Sequence, residues 1–163
     1  MNVKNIVIAG LGGQGVLKAS DILADAAFRA GFDVKKSELH GMSQRGGSVS
    51  SDVRYGDAVL SPMVPPGEAD VLVVLEATQI EINRPTLRAG GILIGPDAID
   101  PAALKNKKSL NVALLGAAST LLEIPEEHWL AAMHANLAEK LHVLNDQSFA
   151  LGRAAALERS RPQ

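Results

Sequence analysis

Residues Val3 to Ala9 form a short, β-branched apolar run that stops abruptly in glycines. Such a run, continuously apolar from Ile6 to Ala9 rather than alternating, is expected of a parallel strand buried on both faces. From Gln14 to Ala30 the pattern changes period: Val16, Leu17, Ser20, Leu23, Ala24 and Ala27 recur at helical spacing, and Gly31 is placed to stop the helix. Asp33 to Leu39 reads as a second strand. These segments predict a strand, a glycine-rich turn, a helix and a strand, the opening of a doubly wound sheet. Ser48 to Tyr55 is a more polar strand, and Val71 to Leu75 a third buried one. Between them Ser61 to Gly67 holds three prolines, which fix φ and remove donors, so no regular element is expected there.

The second half predicts a helix from Ala77 to about Leu87, a turn at Ala89-Gly90-Gly91 and a strand over Ile92 to Ile94. Ser109 to Val112 reads as a last strand leading into a helix through Leu122. Pro125 suits the first position of a further helix, with Glu126 and Glu127 favourable to its first turn. Leu130, Met133, Leu137 and Leu141 mark the apolar stripe of that helix, and a last helix covers about Asn145 to Glu158. The expected fold is α/β: a three-layer α/β/α Rossmann-like domain with a mostly parallel sheet and C-terminal helices. The 163 residues suit a single domain, 1–163, without repeats or linkers.

Composition narrows the function. Hydrophobic residues make up 47% and charged residues 21%, as in ordinary globular chains. A net charge of −2 and only 3% aromatics argue against nucleic acid, for which basic stripes and stacking platforms are needed. There is no cysteine, hence no disulfide, no thiolate-held Fe–S cluster and no cysteine nucleophile on this chain. No segment is long and apolar enough for a membrane span or a signal peptide, so a cytoplasmic protein is expected. His128, His134 and His142 are spaced by six and eight, not three or four, and no metal set is expected from them.

Two motifs could carry chemistry. Gly10-Leu11-Gly12-Gly13-Gln14-Gly15 fits G-x-G-x-x-G with a strand before and a helix after. Glycines let backbone approach a phosphate, and the helix N-terminus offers free N–H groups with a partial positive charge. The same glycines could equally serve only to pack strand against helix. Glu38 stands where a ribose-binding acid would close the second strand of a nicotinamide site. The second motif, Glu38 to Gly47 (ELHGMSQRGG), is dense in polar side chains at the carboxyl end of a strand. Arg45 offers a planar fork for phosphate or carboxylate, His40 could shuttle a proton, and Ser43 and Gln44 could orient an oxyanion. Alternatively, Glu38 and Arg45 pair to fix the loop. The prolines near Ser61-Pro62 form a rigid connection or an apolar rim for a partner.

GLGGQGV followed by ELHGMSQRGGSVSSDVRYG resembles the γ-type subunit of 2-oxoacid:ferredoxin oxidoreductases, most closely the small subunit of the indolepyruvate type. Ser61-Pro62, Gly67-Glu68-Ala69-Asp70, Glu76, Asn145, Phe149 and Gly152 agree with it, so the likeness covers nearly the whole chain. The segment between Ile99 and Ser109 looks shortened, which puts a lid or partner contact there in question. The resemblance implies a holoenzyme that oxidatively decarboxylates a 2-oxoacid to acyl-CoA, carbon dioxide and reduced ferredoxin. It implies a large partner subunit carrying thiamine diphosphate and Fe–S clusters, with ferredoxin reached through the complex. This chain would hold no cofactor alone but contact coenzyme A. The residues then expected to contact it are Gly12, Gly13, Gln14, Gly15, Ser43, Gln44 and Arg45, with His40 and Glu38 as polarising or proton-handling groups. Two other readings stay open: a stand-alone nucleotide-binding or regulatory module, and a purely structural subunit.

Overall fold

The computed structural model describes residues 2–40 and 46–162. Strand β1 (Lys4–Leu11) leads through the glycine turn into helix α1 (Val16–Arg29), then β2 (Asp33–His40) and β3 (Ser48–Gly56). Gly31 ends α1 at φ 93°, and Phe32 N–H returns to the Ala27 carbonyl, the left-handed stop expected of a glycine there. The chain continues through β4 (Ala69–Val74), a short helix α2 (Ile80–Asn83) and β5 (Leu87–Ile94). It ends in three longer helices: α3 (Leu110–Ser119), α4 (Glu126–Asn136) and α5 (His142–Arg159).

The sheet order is β2-β3-β1-β4-β5. Strands β1, β4 and β5 pair in parallel, whereas β3 is antiparallel to both β1 and β2. Four of the five strands therefore share one direction, and β3 is the inserted exception. The α/β class and the largely parallel sheet follow the sequence reading.

The two faces of the sheet are covered unequally. Ile6, Ile8, Val53, Tyr55, Val71 and Val73 pack with α1, α3, α4 and α5 into one large core around Trp129, Met133 and Phe149. On the opposite face Val7, Ala69, Leu72 and Val74 pack beside Leu87 and Leu93 of β5 and are covered by Val64 and Ile80. That thinner layer is the proline loop and residues 77–86. The loop is strapped down at several points: Asp33 Oδ2 accepts from Val59 N–H at 2.7 Å, Asp52 Oδ2 from Val64 N–H at 2.9 Å, and Arg54 donates to the Ser61 carbonyl at 2.7 Å. A rigid connection is what the prolines deliver, although Leu60 and Met63 stay exposed on it.

Several expected elements differ. The helix expected from Ala77 to Leu87 is broken into a 3-10 turn, one turn of α-helix and a second 3-10 turn at Arg84–Thr86. Pro85 lacks the N–H a continuous helix needs. The turn expected at Ala89-Gly90-Gly91 is a bulge inside β5, with Gly90 at φ 76° and the register shifting between Ala69 and Val71. No strand forms over Ser109 to Val112, because the chain there turns directly into α3. Every α3 residue from Asn111 to Ser119 is buried, so its apolar run carries no helical period and mimics a buried strand. The stripe through Leu137 and Leu141 also fails, because α4 ends at Asn136 and its buried residues are Trp129, Ala132 and Met133. Asn136 bonds Asp25 of α1, and Lys18 reaches the Asn136 carbonyl, which pins that end.

Candidate functional site

The glycine turn lies at the carboxyl end of β1, beside the end of parallel β4, the rim where open α/β sheets take ligands. Its geometry is fixed by Gln14. The Gln14 Oε1 accepts from Leu11 N–H at 2.8 Å, and its Nε2 donates to Glu76 Oε2 at 3.0 Å, joining the turn to the end of β4. Gly12 N–H donates to the Gly47 carbonyl at 2.8 Å, joining it to the start of β3.

The four glycines of the turn are not equivalent. A Cβ at Gly10 would meet Gln14 Oε1 at 2.8 Å, one at Gly12 would meet the Gly46 nitrogen at 3.2 Å, and one at Gly15 would meet Asn111 Nδ2 at 2.5 Å. These three are glycine because protein atoms already crowd them. Gly13 alone has nothing within 4 Å, and its φ of 88° is the left-handed region that other residues enter at a cost. Behind it, Gly15 at φ 84° caps α1. Ala19 N–H bonds the Gly15 carbonyl, which leaves the N–H groups of Val16, Leu17 and Lys18 without intrahelical acceptors. No acidic residue occupies that first turn, so the positive end of the helix is not neutralised locally.

Two open clefts flank Gly13. One, of about 430 Å³, is walled by Gly13, Gln14, Gly15, Leu75 and Leu110 with Lys107 and Lys108. The other, of about 440 Å³, is walled by Gly12, Gly13, Val16, Leu17, Lys18, His40 and Val49, and its lining is mainly apolar. Lys107 and Lys108 were not singled out in the sequence, because the segment that carries them read as shortened and as the approach to a strand. Their one sequence signal is that Lys105, Lys107 and Lys108 are the densest cluster of like charge in the chain.

The other candidates divide. His40 reaches the second cleft, with Nε2 3.9 Å from Glu38 Oε2. Glu38 is already matched: Lys36 Nζ lies 2.7 Å from its Oε1 and also pairs with Asp21 of α1. Burial works against the Lys36 charge, but its bonds to Asp21 and Glu38 outweigh this and hold the ammonium above its ordinary value. Ser43, Gln44 and Arg45 lie outside the described residues, so the alternative Glu38–Arg45 pair does too. His134 and His142 stack at 4.2 Å, and His134 Nε2 lies 2.9 Å from both Asp146 oxygens, closing the corner between α4 and α5. Among the described residues no cluster of histidines and carboxylates could hold a metal ion. Among them, too, no helix is long and apolar enough to cross a membrane.

A nicotinamide site requires the acid-bearing second strand to lie next to the first. Here β3 occupies that place, and β2 stands two strand spacings from β1, roughly 10 Å. Glu38 is therefore both matched by Lys36 and displaced from the turn it would have to serve.

Residues 5–103 match the family model described as pyruvate ferredoxin/flavodoxin oxidoreductase. The chain is 39% identical over 144 residues to the indolepyruvate oxidoreductase subunit IorB of Pyrococcus horikoshii, covering 88% of this chain and 69% of that one. Its fold superposes at a TM-score of 0.80 on the γ subunit of a keto/oxoacid ferredoxin oxidoreductase from Geobacter sulfurreducens, at 23% identity over 97% of this chain and 98% of that one. It superposes at 0.81, with 21% identity, on a 2-oxoglutarate:ferredoxin oxidoreductase from Magnetococcus marinus described with 2-oxoglutarate, coenzyme A and succinyl-CoA bound. All of this chain, but only 32% of that one, takes part.

Proposed function

The chain belongs to the pyruvate ferredoxin/flavodoxin oxidoreductase family, and from that premise we propose that it is the small subunit of an indolepyruvate-type 2-oxoacid:ferredoxin oxidoreductase, seating coenzyme A for the acyl transfer step. Its redox partner is a large subunit, which supplies thiamine diphosphate and Fe–S clusters; this chain has no cysteine to ligate a cluster. Ferredoxin takes the electrons from the complex, in the cytoplasm. The resemblance to IorB over most of both chains supports the indolepyruvate type over other 2-oxoacids.

The observation that carries the coenzyme A reading is the division of labour within the turn. Three glycines are closed by protein atoms, whereas Gly13 opens on both clefts with the free N–H groups of α1 behind it. A diphosphate set against that helix end gains hydrogen bonds and a favourable dipole without a side chain in the way. Gln14, by bonding Leu11 and Glu76, keeps the turn in this shape, and Gly12 and Gly15 allow its close packing. The mainly apolar second cleft suits the pantetheine arm, with His40 at its wall able to take the thiol proton. Glu38 Oε2, 3.9 Å from His40 Nε2, sets a negative charge beside the ring without a hydrogen bond to it. Ser43, Gln44 and Arg45 precede Gly46, which lies against Gly12, and are assigned to the same anionic ligand. Bringing the thiol to an acyl group held by the partner works by proximity, so this subunit needs no covalent chemistry of its own.

The test is a complex reconstituted anaerobically with the large subunit. Gly13→Val is expected to raise KM for coenzyme A at least tenfold, on the order expected for a blocked close approach. The decarboxylation half-reaction measured without coenzyme A should be unchanged. An unaltered KM for coenzyme A would remove the turn from its binding site.

A further inference from the structure

The cleft on the α3 side of Gly13 holds two lysines, whereas the other holds only Lys18, whose ammonium donates to the Asn136 carbonyl. Lys107 and Lys108 wall it opposite the glycine turn, and among the described residues neither ammonium is engaged by a carboxylate. Several other cations have carboxylate partners: Arg29 pairs with Asp25, Lys36 with Asp21 and Glu38, Arg84 with Glu81, and Arg88 with Asp70. In a chain of net charge −2, two adjacent unmatched ammonium groups at a ligand cleft are a local excess that an anion would relieve. The backbone fixes their approach. Asn106 Oδ1 accepts from Lys108 N–H at 2.9 Å, and the 3-10 turn Lys107–Ser109 runs directly into α3, whose Asn111 donates to the Gly15 carbonyl at 3.2 Å. The lysine segment is thus tied to the glycine turn by one residue contact and cannot drift far from it.

We propose that Lys107 and Lys108 form a phosphate-selective wall that holds a phosphomonoester of the nucleotide end of the ligand, so that the subunit distinguishes coenzyme A from its 3′-dephospho form. The inference rests on the coenzyme A reading above. The diphosphate is served by the turn and the α1 N-terminus, with the residues that precede Gly46 assigned to it above. A monoester, carrying about −1.5 to −2 at neutral pH, needs separate cations, and a lysine ammonium suits it as a point charge. This orients the ligand: nucleotide toward α3, pantetheine across Gly13 toward His40.

In the reconstituted complex, kcat/KM is measured for coenzyme A and for dephospho-coenzyme A. The wild type is expected to prefer coenzyme A. Lys107→Gln and Lys108→Gln should each lower kcat/KM for coenzyme A about tenfold, with dephospho-coenzyme A nearly unaffected. Lys→Arg variants should restore most of the preference. Lys105→Gln is the control, because Lys105 walls a different cleft beside Leu144 and Gln147 and changes the net charge equally. A preference that survives the double Lys107→Gln/Lys108→Gln variant, or falls as far in Lys105→Gln, overturns the proposal. So does a variant that loses only assembly with the large subunit, since the lysines would then face the partner. Should Gly13→Val impair both ligands while the lysine variants discriminate like wild type, the coenzyme A site stands and only the lysine wall falls. If Gly13→Val leaves both ligands untouched, the underlying reading itself has failed.

Discussion

Glycine does opposite work at the α3–α5 seam and at the β1–α1 turn. At the seam, a Cβ on Gly116 would fall on the Phe149 carbonyl and one on Gly152 on the Ala113 carbonyl, so the two helix backbones touch with no room for any side chain. At the turn, Gly13 faces nothing within 4 Å. The first arrangement spends the missing side chain on packing and the second keeps it as open space. A crowded glycine therefore points to architecture. Gly31, Gly46 and Gly67 are left-handed with open space in front of them as Gly13 is, so what sets Gly13 apart is its place between two clefts at the N-terminus of α1.

The most severe way to break this contrast is Gly152→Val. The added side chain must push α5 off α3, and about 3 kcal/mol or more of stability should be lost, read as a lowered midpoint of urea unfolding. A loss under about 1 kcal/mol would mean that the seam can open and is not a rigid contact. Gly13→Val should cost less, about 1–2 kcal/mol from its backbone conformation alone, while its effect on coenzyme A use is larger. The two substitutions should thus separate, one reading out in folding and the other in KM.

Gln14→Ala sharpens the comparison from within the turn. It removes the acceptor for Leu11 N–H and the donor to Glu76, and should cost about 1–2 kcal/mol in unfolding. If Gln14 shapes the turn without touching ligand, KM for coenzyme A should rise only as far as the turn loosens, less than in Gly13→Val. Gln14→Glu, which sets a second carboxylate beside Glu76, should be worse than Gln14→Ala at neutral pH and improve on acidification.

The smallest expected effect lies away from both regions and serves as their control. The Val59 N–H, aided by Lys35, holds the Asp33 carboxyl below its ordinary value. A lowered folded-state pKa stabilises the fold above the unfolded value near pH 4, and that contribution is lost as pH falls through the folded one. Asp33→Asn should flatten the acid limb of a stability–pH curve slightly and leave neutral-pH coenzyme A kinetics unchanged. A change in those kinetics would show that the proline loop communicates with the site.

The chain itself determined the local elements with strong periodicity or punctuation. The β1–turn–α1 unit, the stop at Gly31, the irregular proline segment and the motif pair that marks the family all lie in contiguous residues, where neighbours along the chain set the outcome. Tertiary structure decided the rest. Only sheet pairing put β3 between β1 and β2 and so moved Glu38 away from the turn. Only burial on all sides made a helix of the run after Ser109, because a fully buried segment has no polar face to reveal its period. Only packing told Gly13 from Gly12 and Gly15, since the atoms that crowd those two come from Gly46 and Asn111, distant in sequence, whereas Gly10 is crowded first by the nearby Gln14 and Val16. For the same reason Lys107 and Lys108, more than ninety residues from the turn, entered the site only when the chain folded. The physical cause is common to all of these: propensity acts over a few residues, whereas excluded volume and charge act between whatever the fold brings together.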